Sequence, residues 1–166
     1  MADPPASDER RVQFPDYEAT AAGLIRDAAN RWEDRILVIL DDQRVTYQEV
    51  ERRSAEMARA LLASGVVRGS RLGLLAPNSP DWVVAWLAAT RIGAVTTLLS
   101  TYARPRELGW ALSHSGVEVL LTVDHYLGHR YPEELGTALS GLADQRHGEI
   151  EVASHPELTA VSSFLG

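Results

Sequence analysis

A few groups of residues in this sequence have the types and spacing for chemistry. Gly65, Gly69 and Gly73 recur at every fourth position. No G-x-G-x-x-G and no lysine-bearing phosphate loop surrounds them, so turns and close packing are their expected work. His125 and His129 stand four apart after Asp124. On a helix they would share a face and could hold a metal, but Gly128 between them favours a polar loop after a strand. Tyr102, Arg104 and Arg106 follow a candidate strand, and open α/β sheets bind ligands beyond the carboxyl ends of their strands; a solvated helix start is the plainer reading. Asp41-Asp42 reads as hairpin-turn chemistry before it reads as a carboxylate pair. Trp82 and Trp86, one helical turn apart, read as core packing before a stacking platform.

What is missing narrows the chemistry further. All 16 basic residues are arginine, which excludes a phosphate-loop, Schiff-base or other catalytic lysine supplied by this sequence. With no cysteine, disulfides, thiolate metal sites and cysteine nucleophiles are excluded too. There is no G-x-S-x-G nucleophile elbow. A net charge of −7 argues against nucleic acid as a partner, because that needs a basic footprint. The longest nearly unbroken apolar run, Trp82 to Ala89, is too short for a transmembrane segment. Met1 to Arg11 has no apolar signal region, and residues 1–14 are read as a disordered N-terminal arm. A cytoplasmic location is expected, and the Ala- and Arg-rich composition suggests a GC-rich bacterial genome.

The elements that must position these residues follow from periodicity. Tyr17 to Trp32 carries apolar residues at helical spacing. Ile36 to Leu40 and Arg44 to Tyr47 flank a turn and predict a hairpin. Thr46-Tyr47-Gln48-Glu49 fits a capping box, opening a helix that runs to about Ser64 and stops at Gly65. Leu72 to Ala76 predicts a buried strand. Ser79-Pro80-Asp81 is a helix start, and the helix Asp81 to Ile92 is apolar nearly all round, so it should be sandwiched. Strands follow at Ala94 to Leu99 and Val117 to Val123, with a helix from Arg104-Pro105 to about His114 between them. A helix from about Pro132 to Asp144 and short strands near Ile150 and from Leu158 to Leu165 close the sequence. The alternation predicts an α/β fold with a mostly parallel sheet flanked by helices. No active-site motif lies in it.

The order of the segments resembles a known family. Val45-Thr46-Tyr47-Gln48-Glu49-Val50 is similar to the L-T-Y-x-E-L signature of adenylate-forming enzymes, a superfamily of acyl-CoA synthetases, luciferases and peptide-synthetase adenylation domains. Gly65 to Trp82, Leu87 to Leu99 and Pro105 to Thr122 resemble the three blocks that follow it, and Leu158 to Gly166 looks like the strand before the family's phosphate loop. Ser70 stands for the usual Asp and Leu98 for the usual Pro. The closest branch is the acyl-CoA synthetases, or fatty-acid–CoA ligases.

The resemblance implies that residues 15–166 are a partial AMP-binding domain, the first α/β subdomain of the synthetase's large N-terminal domain, incomplete. It implies a two-step ligase reaction. A carboxylate attacks ATP to give acyl-adenylate and pyrophosphate, and CoA then displaces AMP. ATP, Mg²⁺ and CoA are therefore the cofactors and substrates of the whole enzyme. The family's phosphate loop and C-terminal catalytic lysine are absent from this sequence, so the chain alone is expected to be an inactive scaffold that binds none of them tightly. Arg91 matches a position where some CoA ligases place a basic residue near the CoA nucleotide. The expected partner is the remainder of the synthetase or a complementing chain, with self-association through an exposed apolar face, around Trp82 to Thr90, as a further possibility. The alternative is a stand-alone, non-catalytic binding or assembly protein derived from the same fold.

Overall fold

The computed structural model describes residues 16–139 and 151–165. Helix α1 (Ala21–Trp32) starts at Ala21, not at Tyr17, because Thr20 caps it: its hydroxyl accepts from the Gly23 N–H at 3.0 Å. Strands β1 (Ile36–Leu40) and β2 (Gln43–Thr46) form the expected antiparallel hairpin. Asp41 sits in its turn at φ 50°, a left-handed conformation that Asp tolerates better than most residues.

Thr46 then caps α2 (Tyr47–Ala63), accepting from the Glu49 N–H at 3.2 Å. Only this half of the capping box is seen. The Glu49 carboxylate lies 4.0 Å from Arg53 instead. The reciprocal half occurs at another helix, where Glu107 Oε2 accepts from the Arg104 N–H at 2.8 Å. Gly65 and Gly69 take φ of 92° and 90° in the turns after α2, leading into β3 (Arg71–Leu75). Ser79 caps α3 (Pro80–Arg91) by accepting from the Trp82 N–H at 3.0 Å. The remaining elements are β4 (Val95–Leu98), α4 (Pro105–Ser115), β5 (Val119–Val123), β6 (His125–Tyr126), β7 (His129–Arg130), α5 (Tyr131–Ala138) and β8 (Ala160–Leu165). Helix α5 ends at Ala138, short of the expected Asp144, because Leu139 leaves helical geometry at φ −118° and ψ 86°; the strand expected near Ile150 and the N-terminal arm lie outside the described residues.

Four strands pair in parallel in the order β4-β3-β5-β8. The order reverses at β3, so right-handed crossovers place α3 and α4 on opposite faces. Helices α1, α2 and α3 pack together, and α4 packs with α5. The core lies between these layers: Leu72, Leu74 and Leu75 of β3, Leu120 and Leu121 of β5, Leu108 and Leu112 of α4, and Ala85, Ala88 and Ala89 of α3. The central strands read as near-continuous apolar runs because both of their faces are covered. Gly73 is closely packed: a Cβ there would lie 3.0 Å from Leu120 Cδ1 and 3.1 Å from Val117 Cγ1, so those side chains would have to shift to admit it.

One expectation is corrected. No residue of α3 is exposed, so the bare apolar face is not at Trp82 to Thr90. Helix α1 and the β1–β2 hairpin lie across α2 and α3, where Ile25, Val45, Val50 and Leu87 make a second small core. The Trp82 and Trp86 rings stack at 6.5 Å and 11° and pack against the cores. Bare apolar surface is found elsewhere. Val95 and Leu98 of β4 are exposed, and among the described residues β4 and β8 each pair on one side only. A cleft of about 1360 Å³ also opens between the C-terminal half of α2, at Met57, Ala60 and Leu61, and the strands β5 and β8.

Candidate functional site

The carboxyl ends of β3, β4 and β5 surround the point where the strand order reverses, the place where open α/β sheets form ligand crevices. Three segments leave from there: 76–79 after β3, 99–104 after β4 and the β6–β7 hairpin after β5. The hairpin replaces the expected polar loop. Leu127 and Gly128, at φ 46° and 84°, make its two-residue turn, the positive-φ pair that matches the twist of a tight hairpin. His125 pairs with Arg130 and Tyr126 with His129. Cross-strand partners share a face and neighbours alternate, so His125 and His129 project from opposite faces and cannot close on one metal ion.

His129 instead serves a network that ties the rim together. Its Nδ1 lies 2.8 Å from Glu134 Oε1, and its ring is parallel to that of Tyr131 within 8° at 6.0 Å. Tyr131 is fully buried. Its hydroxyl donates to the Thr101 carbonyl at 3.0 Å and its N–H donates to the Asp124 carbonyl at 3.1 Å. One residue thus joins the segments after β4 and β5, by its hydroxyl to the first and its backbone N–H to the second. Burial first, and then the nearby Glu134 carboxylate, hold the Tyr131 phenol above its ordinary pKa. Glu134 Oε2 is buried without a hydrogen-bond partner. Residue spacing shows none of this network. The one local signal was the Leu127-Gly128 pair between two short β-prone stretches.

Tyr102 is 69% exposed, and Arg104 and Arg106 are exposed at the start of α4. The two arginines border a hollow of about 600 Å³ beside Trp110 and His155. His155 is buried there, its Nε2 2.8 Å from the Gly109 carbonyl and its Nδ1 2.8 Å from the Ser154 hydroxyl. A ring nitrogen facing a carbonyl must carry the proton, so Nε2–H donates and Nδ1 accepts from Ser154.

Arg91 lies in the last turn of α3, and its side chain is 11% exposed. Nη1 is 3.3 Å from Glu51 Oε1, and Nη2 is 3.0 Å from Ser54 Oγ and 3.3 Å from the Glu51 carbonyl. Nη2 also bonds the other Glu51 carboxylate oxygen. Arg26 Nε also lies 3.9 Å from Glu51 Oε1. Arg91 is therefore part of a tie between α3, α2 and α1. Arg53 and Asp81 make a second tie between α2 and α3.

The described residues do not fit a magnesium–nucleotide site. Among them no group of three or more His, Asp or Glu could hold a metal ion, and the sequence contributes no lysine. The hydroxyls at the strand ends are committed to local structure: Ser79 caps α3, and Ser100 accepts from the Tyr102 N–H at 3.2 Å. No described helix is long and apolar enough to cross a membrane.

Comparison with known proteins places this geometry. The sequence profile described as AMP-binding enzyme matches residues 25–162. The medium/long-chain-fatty-acid–CoA ligase FadD6 of Mycobacterium tuberculosis is 31% identical over 107 residues, 64% of this chain and 18% of that protein. The N-terminal subdomain of NpsA from Klebsiella oxytoca, solved with anthranilyl-AMSN, superposes with a TM-score of 0.62 at 25% identity, over 63% of this chain and 27% of that one. The anthranilate CoA ligase AuaEII, 18% identical, shares the fold with a TM-score of 0.69 over 91% of this chain and 26% of that one. The chain spans about a quarter or less of the length of such relatives. Its parallel sheet, its flanking helices and a profile match over most of its length agree: the chain belongs to the AMP-binding enzyme family of adenylate-forming ligases.

Proposed function

We propose that this chain forms the first α/β layer of an ATP-dependent carboxylate–CoA ligase and is a scaffold without activity of its own. The whole enzyme would join a carboxylate to ATP, release pyrophosphate, and pass the acyl group from AMP to CoA. The observation that carries the reading is the family match over residues 25–162 in a chain with no lysine and no metal-binding group among its described residues. Charge developing on transferring phosphates needs cations and backbone donors placed around them. Relatives named as CoA ligases support the CoA branch. For Arg91 we favour the tying role, since a CoA phosphate would have to displace Glu51 from a nearly buried guanidinium. A second reading, a stand-alone binding or assembly protein, draws support from one observation, the complete cover over α3.

The test is carboxylate-dependent ATP–pyrophosphate exchange by the purified chain with Mg²⁺ and a panel of fatty and aromatic acids. No exchange above background is expected. Exchange that depends on the acid would overturn the inactive-scaffold reading. Grafted in place of the matching segment of a fatty-acid–CoA ligase, the chain should support CoA-ester formation; a folded chimera that adenylates but makes no CoA ester would sink the CoA branch.

A further inference from the structure

We propose that the free edge of β4 pairs with β4 of a second copy of this chain, antiparallel and about a twofold axis, so that two four-stranded sheets become one. The proposal is independent of any ligase activity. Three observations carry it.

The first is what the other edges have and β4 lacks. Proteins blunt open strand edges with bulges, charges or proline. Among the described strands longer than two residues, β1, β2, β4 and β8 each pair on one side only. The register of β1 breaks between Ile36 and Val38, and that of β8 on β5 breaks between Thr122 and Val123. Strand β2 carries the exposed Arg44. The register of β4 on β3 is unbroken, and no charged residue or proline lies between Arg91 and Arg104. A twofold axis sets a strand beside its own kind, where any charge near the axis would meet its like; β4 has none to meet.

The second is side-chain cover. Val95 is 51% and Leu98 52% exposed. They sit on opposite faces of the strand, so a neighbour along the edge would cover both, whereas a molecule lying on one face would cover one.

The third is the direction of the main-chain groups. Val95 and Leu99 donate inward, to the Ser70 and Leu74 carbonyls at 2.8 and 3.0 Å. Alternation then turns Thr97 inward and leaves the N–H and C=O of Thr96 and Leu98 pointing out. Outward residues must pair with outward residues. The register that uses both sets Thr96 against Leu98 of the second copy, Thr97 against its own counterpart on the axis, and Val95 against Leu99.

So short an edge buries little area, and the dimer is correspondingly weak. In sedimentation equilibrium the mass of the full chain should rise from 18.2 kDa towards twice that between about 5 and 200 µM. Leu98→Lys should abolish the rise, while Ile39→Lys, at an exposed position on β1, should leave it unchanged. A chain that stays monomeric throughout, a dimer that survives Leu98→Lys, or one lost equally to Ile39→Lys would each overturn the proposal. The chain has no cysteine, so single introduced thiols read the register. Two Thr97→Cys residues would face each other as a non-hydrogen-bonded pair at about 4.5 Å between Cα atoms, within disulfide reach. Two Val95→Cys residues would stand about 13 Å apart along the strands. Under glutathione disulfide, Thr97→Cys should link two chains at least tenfold faster than Val95→Cys, although Val95 is the more exposed. Equal rates, or faster linkage at Val95, would overturn the pairing.

Discussion

The face of the sheet that carries α1, α2 and α3 has two halves that differ sharply. Over β3 and β4 it is sealed. Helix α3 has no exposed residue, two tryptophans stack within it, and the Arg91–Glu51–Ser54 and Arg53–Asp81 ties close its borders. Over β5 and β8 the same face opens into the cleft. Both halves follow one rule, that a parallel sheet needs cover on both faces. The sealed half obtains its cover from segments next to it in sequence. The open half needs cover from farther away along the polypeptide or from another molecule.

The contrast can be broken first by truncation. Leu74 is fully buried in β3 and Phe164 is partly buried beside the cleft. Leu74→Ala should cost about 2–5 kcal/mol in urea unfolding, from lost burial and the cavity left behind. Phe164→Ala should cost roughly 1 kcal/mol or less if the cleft is open. Equal losses would mean that the cleft is covered. A smaller effect sharpens the sealed side. Arg91→Ala strips a nearly buried charged network and should cost about 1.5–3 kcal/mol, whereas Arg52→Ala, which removes an exposed pair with Glu56, should cost about 0.3–0.5 kcal/mol. Similar values for the two would show that the Arg91 tie is no more than a surface pair.

The smallest effect concerns the rim, which belongs to neither half. The native state holds the Tyr131 proton more tightly than the unfolded chain, whose phenol has the ordinary value of 10.0. Its contribution is therefore intact below that pH and is lost as pH rises through the higher native value. Tyr131→Phe should lower stability by about 1 kcal/mol at neutral pH, through the lost bond to the Thr101 carbonyl. It should also flatten the alkaline fall above pH 10. An unchanged alkaline limb would assign that fall to other groups.

Much of the fold was legible because local chemistry specified it. The Ser79-Pro80-Asp81 start, the glycine stops and the apolar strands all form where the residues predict them. Two local readings were outcompeted. Thr20 took the helix start that the apolar spacing of Tyr17 suggested, and Glu49 turned to Arg53 and left its capping box half made. The cover over α3 was not legible, because periodicity shows that a helix is sandwiched and not which segment lies across it; here α1 and the hairpin do. The rim was least legible of all. The bond from Tyr131 to Thr101 joins residues that only the tertiary fold brings together, and His129 reads as a ligand by spacing until the turn at Leu127-Gly128 reverses the chain.

The all-parallel pairing has a consequence for how the molecule is assembled. A parallel partner cannot be reached by a tight turn, so every new strand must wait for its crossover to be made. For β5 and β8 that crossover is the whole stretch from Val123 to Ala160. On a ribosome, β4, β3 and β5 emerge first and can close on one another while β8 is still being synthesised. Through that interval β5 is itself a raw border. Pairing over such long separations is slow, so synthesis speed and chaperone supply should govern the yield of this chain more than its final stability does.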